Sequence, residues 1–399
     1  MKNTLLKNTL SKSPISRSAL MAAMFVGIAA GGQASAQTTY HVSDLESLGG
    51  TNSRGNSIND FGIVSGFSTF PRNARRHAVA WFFGQKIDLG TLRDPATRSS
   101  AVIWPLKNLR GRIVGISQTD TPDPNDESWS CAAFLGDTPN TCLGFVWEYG
   151  KMRPLLPLKG GHNSFAAGAN NFGQITGWAE NGVVDPTCVA PQKLQFKPVI
   201  WGPGKHAIHE LPLLDGDSSG AATAINDKGQ AVGISGICDI AVGRFTAAHA
   251  VLWDNGTAIE LKGFDAPYWN TPWSINLRGD VAGFMGTPGD LDGNFFRAFV
   301  WIKGSANIAE IQPLQGDEYA EAHGINEFRQ VVGTSCKAGG VSCRAFRWEN
   351  GVTHDISQQP GYSGILINAM DINNFGVISG RAEDPTTGVR TAFVAVPVH

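Results

Sequence analysis

Short apolar runs separated by polar turns recur along almost the whole chain. Residues 58–64, Ile-Asn-Asp-Phe-Gly-Ile-Val, form one clear copy. Asn and Gly supply the backbone conformations that a tight turn needs, so the pattern predicts two strands joined by a hairpin turn. In each copy a Gly stands seven positions after the Asn. The repeated pairs are Asn59 and Gly66, Asn108 and Gly115, Asn170 and Gly177, Asn226 and Gly233, Asn276 and Gly283, Asn326 and Gly333, and Asn373 and Gly380.

A third apolar strand and a short fourth strand follow each hairpin. The third ends in Trp in six copies, as in residues 77–81, and the fourth usually places an acidic residue before Leu or Ile, as at Asp88. Each repeat of about 50 residues thus predicts four antiparallel strands, a to d, which is the content of a propeller blade. The repeated Asn, the strand-d acids, His77 and His249 are assigned structural roles, because a residue present in every blade serves the blade.

The two chain ends complement each other. The seventh repeat has strands a, b and c, and the chain stops at His399 before a fourth strand. Residues 41–48 match the strand-d pattern of residues 86–92 and precede the first repeat. We therefore predict an all-β, seven-bladed β-propeller of four-stranded blades, closed by an N-terminal strand that completes the last blade and removes open sheet edges. A linear solenoid is the structural alternative.

Residues 1–36 have the features of an export signal. Basic residues precede an apolar run over residues 19–31, and Ala34-Ser35-Ala36 fits a cleavage site, which makes Gln37 the predicted mature N-terminus. A membrane anchor is the alternative, although the apolar run is short for a span. Residues 37–399 are then expected to form a single propeller domain that is secreted to the periplasm or the exterior, with no membrane span.

Charge and cysteine content narrow the classes further. The net charge of −2 offers no general attraction to nucleic acid or anionic membranes. The protein is expected to be a monomer. Six cysteines in an exported chain favour disulfides over zinc, since no Cys-x-x-Cys spacing occurs. Placing the cysteines on the predicted b–c loops favours three pairs. They are Cys131 with Cys142, Cys188 with Cys238, and Cys336 with Cys343.

The Asn-Asp-x-Gly-x-Val-Val-Gly unit, followed by His-Ala-Phe-x-Trp and Asp-Leu-Gly-Thr-Leu, resembles the bacterial extracellular repeats called the HAF family. The match extends over residues 40–396 and is strongest in repeats 1, 4 and 6. The resemblance implies secretion and a repeat architecture. It implies no defined activity, and it supplies no catalytic residues to carry over to this chain.

Sequence variation between repeats points to one face of the predicted propeller. The Asn-to-Trp distance ranges from 22 residues in repeat 1 to 39 in repeat 2, so insertions collect in the b–c loops. Variable loops on a rigid scaffold are the usual place for binding, with neutral drift as the alternative. The d–a loops of repeats 4 to 7 add aromatic and acidic residues suited to a glycan, although some of these aromatics can instead pack between blades. The predicted ligand-binding residues are Tyr268, Trp269, Trp273, Glu318, Tyr319, Glu321 and Tyr362.

Two functions from different classes remain open at this point. The first is a binding protein that recognises an extracellular glycan or protein through the b–c and d–a loops. The second is a polysaccharide hydrolase or lyase with a site at the channel mouth, for which Glu321, His323, His162 and Tyr268 are the candidates. No linear catalytic motif, phosphate loop or dinucleotide fingerprint is present, so the first function is preferred.

One segment carries a weak signal for calcium, and no other cofactor is predicted. Residues 290–294 are Asp-Leu-Asp-Gly-Asn, so Asp290, Asp292 and Asn294 stand at every second position. Oxygen-bearing side chains at this spacing, with a Gly among them, resemble part of a calcium loop. The later glutamate of such loops is missing, since residues 295–297 are Phe-Phe-Arg. An ordinary polar turn is the preferred interpretation.

Overall fold

The computed structural model describes residues 38–398, apart from residues 128, 205, 206, 291 and 341. The predicted export signal lies outside the described residues. The described chain folds into seven four-stranded antiparallel sheets. Six sheets follow chain order, and the seventh has the order β1-β28-β27-β26, so the predicted seven-bladed propeller is confirmed. The described part of the chain contains no helix with the length and apolarity needed for a membrane crossing.

The blades take their strands in chain order, and blade 7 also takes the first strand. The strands are β1 (Tyr40–Asp44), β2 (Ser53–Ile58), β3 (Val64–Thr69), β4 (Arg76–Phe82), β5 (Gln85–Gly90), β6 (Ser100–Ala101), β7 (Ile113–Pro122), β8 (Asn140–Glu148), β9 (Lys151–Leu155), β10 (Gly160–Ala169), β11 (Ile175–Val184), β12 (Leu194–Trp201), β13 (Ile208–Glu210), β14 (Ser219–Ile225), β15 (Ala231–Gly236), β16 (His249–Asp254), β17 (Thr257–Glu260), β18 (Thr271–Ile275), β19 (Val281–Gly286), β20 (Phe296–Trp301), β21 (Ala309–Ile311), β22 (Tyr319–Ile325), β23 (Val331–Cys336), β24 (Cys343–Glu349), β25 (Val352–Asp355), β26 (Ile365–Ile372), β27 (Ile378–Glu383) and β28 (Arg390–Pro397). A short helix, α1 (Trp129–Phe134), and 3-10 turns at Pro71–Asn73 and Ala338–Gly340 lie between strands b and c.

Strand β1 closes the ring as predicted. It pairs with β28 in antiparallel register from Tyr40 opposite Pro397 to Asp44 opposite Phe393. The Leu45 amide donates to the Ala392 carbonyl at 2.7 Å, which extends the pairing by one residue. The outer edge of β28 is thereby covered, and blade 7 gains the same four strands as the other blades.

The repeated glycine is required by a close approach between strands a and b. A Cβ atom at any of these glycines would overlap a backbone oxygen of strand a in the same blade. Six of the seven strand pairs carry a register shift beside this point, as between Gly55 and Ser57 in blade 1. The glycine therefore lets strand b lie against the bulged strand a.

The repeated Asn has the structural role assigned to it. In blade 1, Asn59 Oδ1 accepts the amides of Phe61 and Ile63 at 3.0 Å, which fixes the a–b turn. Its Nδ2 donates to the carbonyl of Asn108 in the next blade at 3.0 Å. Five more of the repeated asparagines make the same bond to the next blade. One side chain thus satisfies a turn and links two blades.

The apolar core lies between the sheets, and the strand-c tryptophans contribute to it. Trp81 and Trp253 are fully buried. The indole of Trp81 donates to the Glu46 carbonyl at 2.9 Å, and that of Trp253 donates to the Pro212 carbonyl at 2.6 Å, in each case in the preceding blade. Burial of a large ring with a satisfied N–H explains why Trp recurs at this position.

All three predicted disulfides are present. Cys131 pairs with Cys142, Cys188 with Cys238, and Cys336 with Cys343, with Cα–Cα distances of 6.1, 4.6 and 4.1 Å. The second bridge joins the b–c loops of blades 3 and 4, and the other two close loops within one blade. No described cysteine is free, which suggests an oxidising environment.

Candidate functional site

The b–c and d–a loops emerge on one face of the ring, which we call the loop face. The a–b and c–d turns emerge on the opposite face, which we call the turn face. This division follows from the antiparallel order of the four strands in each blade. The three disulfides and helix α1 lie on the loop face, whereas the repeated asparagines lie on the turn face.

Aromatic rings from different blades meet in the channel. Trp104 of blade 2 stacks on Trp273 of blade 5 with ring centroids 4.8 Å apart, a contact that these blades can make only across the axis. Trp273 also lies 5.2 Å from the His323 ring of blade 6. Trp273, a predicted ligand-binding residue, therefore packs in the interior. It lies within strand a (β18), as do Tyr319, Glu321 and His323 in β22, and not in the loops to which the sequence pattern assigned the patch.

A cavity of about 510 Å³ opens between blades 6 and 7 on the loop face. Tyr319 and Glu321 line it from strand a of blade 6, and Asn368 lines it from strand a of blade 7. Arg381 and Glu383 line it from strand b of blade 7. Two predicted ligand-binding residues, Tyr319 and Glu321, thus share one polar cavity. Burial, with the negative charge of Glu321, raises the pKa of the Tyr319 hydroxyl, so it remains a neutral donor.

Glu321 and His323 form a pair beside this cavity. His323 Nε2 lies 3.2 Å from Glu321 Oε2, and His323 Nδ1 lies 3.3 Å from the Ala369 carbonyl. The His323 side chain is buried, whereas Glu321 is partly exposed to the cavity. Each ring nitrogen of His323 therefore lies within hydrogen-bond distance of an oxygen atom. The pair can hold a carboxylate in a fixed position or exchange a proton with a ligand.

Three arginines surround one phenylalanine next to the cavity. The guanidinium carbons of Arg54, Arg76 and Arg381 lie 5.5, 4.8 and 5.6 Å from the ring centroid of the buried Phe67. Burial and the charge of Arg76 lower the pKa of Arg54 to about 10, while Glu321 opposes that shift. Burial and neighbouring arginines also lower the pKa of Arg381. We call these three residues the arginine cluster.

Alignment of the repeats explains why the cluster lies where it does. Five positions before the repeated Asn, blades 6, 7 and 1 carry Glu321, Asn368 and Arg54. Blades 2 to 5 carry Ile103, Phe165, Ala221 and Thr271 there. Directly after the repeated Gly, Arg381 is the one charged residue in seven copies. These departures from the repeat indicate a polar sector in blades 6, 7 and 1, which the pattern of aromatic loop residues does not reveal.

The remaining predicted ligand-binding residues lie elsewhere on the loop face. Tyr268 is buried and its ring contacts Phe245, so it packs in the interior as the alternative interpretation of these aromatics expected. Trp269 is partly exposed and its ring contacts Phe296. Tyr362 donates its hydroxyl to Asp44 on the closing strand at 2.6 Å. Burial and that carboxylate raise the pKa of Tyr362, so its hydroxyl keeps the proton that holds the closing strand.

Two further candidates lie outside the cavity lining. Glu318 is exposed on the d–a loop of blade 6 and its backbone amide donates to the Cys336 carbonyl at 2.9 Å. His162 lies on strand a of blade 3, where its amide donates to Glu180 at 3.1 Å. The structure therefore brings Tyr319, Glu321 and His323 together and leaves His162 and Tyr268 apart from them.

The segment with the weak calcium signal is closed by a hydrogen bond from a backbone amide to a side chain. Asp290 Oδ2 accepts the Phe295 amide at 2.6 Å, which closes the b–c loop of blade 5, while Asp292 and Asn294 are exposed. The described residues include no group of three His, Cys, Asp or Glu side chains placed to hold a metal ion.

Glu180 is a buried carboxyl near His162. It accepts hydrogen bonds from the backbone amides of His162 and Asn163 at 3.1 and 2.9 Å. Burial, with the nearby charge of Glu127, raises the pKa of Glu180 to about 8, from 4.5 for an ordinary glutamate. The folded protein therefore retains a proton that the unfolded chain loses above about pH 4.5.

Glu180→Gln is expected to make folding less dependent on pH. A raised carboxyl pKa stabilises the fold at low pH, and that contribution is lost as pH rises from about 4.5 to about 8. Urea unfolding of both proteins between pH 4.5 and pH 9 measures the difference in their free energies of unfolding. As pH rises, the variant should become more stable relative to the wild type by up to ~1.4 kcal/mol per pH unit, until the difference becomes constant above the pKa of Glu180. A difference that does not change with pH would contradict the assigned protonation.

No protein-family model and no curated protein matches the chain. Solved structures match at low identity. The β-propeller domain of the Trilobed protease from Pyrococcus furiosus is 9% identical, with a TM-score of 0.44 over 90% of this chain and 94% of that one. Pyrococcus horikoshii acylaminoacyl peptidase is 11% identical, with a TM-score of 0.45 over 90% of this chain and 52% of that one, so the chain spans about half the peptidase. A Trypanosoma rangeli sialidase is 11% identical, with a TM-score of 0.36 over 72% of this chain and 53% of that one. At these TM-scores the similarity supports no conclusion about activity.

Proposed function

We propose that this protein is a secreted β-propeller that binds an extracellular ligand through its loop face, in the cavity between blades 6 and 7. The observation that carries the proposal is the polar sector of blades 6, 7 and 1. Glu321, Asn368 and Arg54 occupy a position that four other blades fill with Ile, Phe, Ala or Thr. A scaffold that needed only stability would keep uncharged, mostly apolar side chains at this position in all blades, because buried polar groups cost free energy unless they are paired.

A glycan is the ligand class that these side chains suit. Tyr319 offers a ring and a hydroxyl, while Glu321 and Asn368 offer oxygen acceptors for sugar hydroxyls. The cavity of about 510 Å³ is large enough for a small-molecule site, which needs some 300–1,000 Å³. The predicted export signal, the three disulfides and the resemblance to HAF repeats support an extracellular location and membership of that family.

A second candidate function rests on the pair of Glu321 and His323. A carboxylate held 3.2 Å from an imidazole can act as a general acid or base, so a hydrolase or lyase acting on a polysaccharide is the alternative. The two functions predict different effects of the same substitution. An enzyme loses turnover in Glu321→Gln while still retaining ligand, whereas a binding protein releases no product at all.

A polysaccharide panel tests the proposal. The purified chain is incubated with immobilised polymers while retention of protein and release of soluble products are both recorded. We expect retention without products, and we expect Tyr319→Ala to weaken it about tenfold, as for a central aromatic contact. Tyr149→Ala, which removes a Tyr that is 93% exposed on the turn face, is the matched control and should bind normally.

Two outcomes would overturn the proposed binding function. Product release that disappears in Glu321→Gln would establish the enzyme. Equal retention of Tyr319→Ala and the wild type would place the binding site outside this cavity.

A further inference from the structure

We propose that the arginine cluster binds an oxyanion of the ligand, so that the ligand is an acidic glycan carrying carboxylate or sulfate groups. This inference rests on the proposed binding function and names its ligand class. The carrying observation is a set of three guanidinium groups beside the cavity that form no ion pair with any carboxylate of the described residues.

The cluster differs from the other arginines around the cavity. Arg344 is paired with Asp317 and Asp355 at 2.9 and 2.6 Å, and Arg390 is paired with Glu383 at 2.7 Å. Within the described residues, no ion pair involves Arg54, Arg76 or Arg381. The fold thus neutralises the outer arginines of the cavity and leaves the inner cluster positive.

Hydrogen bonding within the protein does not satisfy the cluster either. Arg54 Nε is buried and has no hydrogen-bond partner among the described residues. Arg381 Nε donates to the Ser53 carbonyl at 3.3 Å. The face of Phe67 attracts the three cations, but a ring supplies no hydrogen-bond acceptor comparable to an oxyanion.

Arg54 carries positive charge at neutral pH. The Arg54 pKa, though lowered, stays at about 10, three pH units above neutrality. Like charges at close range repel and their burial is unfavourable, so the free protein holds them at a cost in stability. An oxyanion bound beside Arg381, which lines the cavity, would remove that repulsion and accept bidentate hydrogen bonds.

Neighbouring groups indicate that the anion is part of a polyhydroxylated molecule. Asn368, which lines the cavity, has a buried Oδ1 atom that no donor among the described residues reaches. Glu321 and Glu383 add acceptors at the same wall, and these would repel a bare anion while accepting hydroxyl groups. Arginines for an oxyanion beside acceptors for hydroxyls are the combination that an acidic sugar requires.

Binding of charged and neutral polymers tests the inference. The wild-type chain is titrated with oligogalacturonate, with sulfated dextran and with unmodified dextran, the first two of which distinguish carboxylate from sulfate. We expect binding of at least one acidic polymer and none of dextran, with an affinity that falls as salt increases. Arg54→Gln/Arg381→Gln should weaken binding by ~10-fold or more. The control Arg110→Gln removes one charge from an exposed turn-face arginine and should bind as the wild type does.

Thermal unfolding separates a binding role from a structural one. The double variant should unfold at the same temperature as the wild type or higher, because it removes unpaired charge, and acidic polymer should stabilise only the wild type. A clear drop in the unfolding temperature would overturn the inference in favour of a structural cluster. Equal affinity for dextran, or full acidic-polymer binding by the double variant, would overturn it and leave the binding function standing. Failure of the wild type to bind any polymer would contradict both.

Discussion

Deletion of residues 38–48 is expected to abolish cooperative folding of the propeller. These residues contain β1, the fourth strand of blade 7, and without them the edge of β28 is unpaired. The deletion also removes the buried side chains of Tyr40 and Leu45, and it removes the Glu46 carbonyl that accepts the Trp81 indole. Exposed edges and apolar surface favour aggregation. Size-exclusion chromatography and urea unfolding should show aggregates or a broad, non-cooperative transition.

A circular permutant provides the matched control for this deletion. Tyr40 lies opposite Pro397 in the register of β1 and β28, so a short glycine-containing turn can connect residue 398 to residue 38. Moving residues 38–48 to the C-terminus by this connection should restore folding to near the wild-type stability. If the deletion variant unfolds cooperatively at the wild-type urea concentration, closure by β1 contributes little. If the permutant fails as well, the order of the strands in the chain matters beyond their pairing.

The propeller architecture was predictable because the sequence pattern of one blade is repeated seven times along the chain. Each blade needs the same turn, the same close approach of strands a and b, and the same bond to its neighbour, so Asn and Gly recur at fixed spacing. The disulfide pairs followed from this, since the repeat assigns each cysteine to a loop. A physical constraint that acts in every blade selects the same residue type at the same position of every repeat, so it can be recognised in a single sequence.

The candidate site was harder to predict because it consists of departures from the repeat. Tyr319 and Glu321 were selected for their chemistry, but their place on strand a and their proximity to Arg381 depend on how blades 6 and 7 meet. Trp273 and Tyr268 have equally suitable chemistry, and packing places one in the channel and buries the other. Residue type alone does not distinguish an aromatic ring that binds a ligand from one that fills the core.

Lys107→Met is expected to lower the free energy of unfolding by ~3–5 kcal/mol, because it leaves a buried carboxylate without its counter-ion. Lys107 of blade 2 forms an ion pair with Asp371 of blade 7, across the position of blade 1. The Asp371 side chain is fully buried, and burial raises its pKa even though Lys107 opposes the shift. Lys107 Nζ also donates to the Ile372 carbonyl at 2.7 Å, and Asp371 Oδ2 accepts the Ile58 amide at 2.9 Å. Urea unfolding at pH 7 measures the loss.

The size of this effect depends on burial, which two further variants test. Lys303→Met breaks a partly exposed ion pair with Asp254, whose atoms lie 3.2 Å apart, and should cost less than ~1 kcal/mol. Lys107→Met/Asp371→Asn removes the buried charge as well as its partner and keeps an acceptor for the Ile58 amide, so it should regain much of the lost stability. Equal losses for Lys107→Met and Lys303→Met would mean that solvent already screens the pair. A double variant no more stable than Lys107→Met would mean that the lysine acts through its packing and its bond to Ile372, and that the charge of Asp371 imposes no cost.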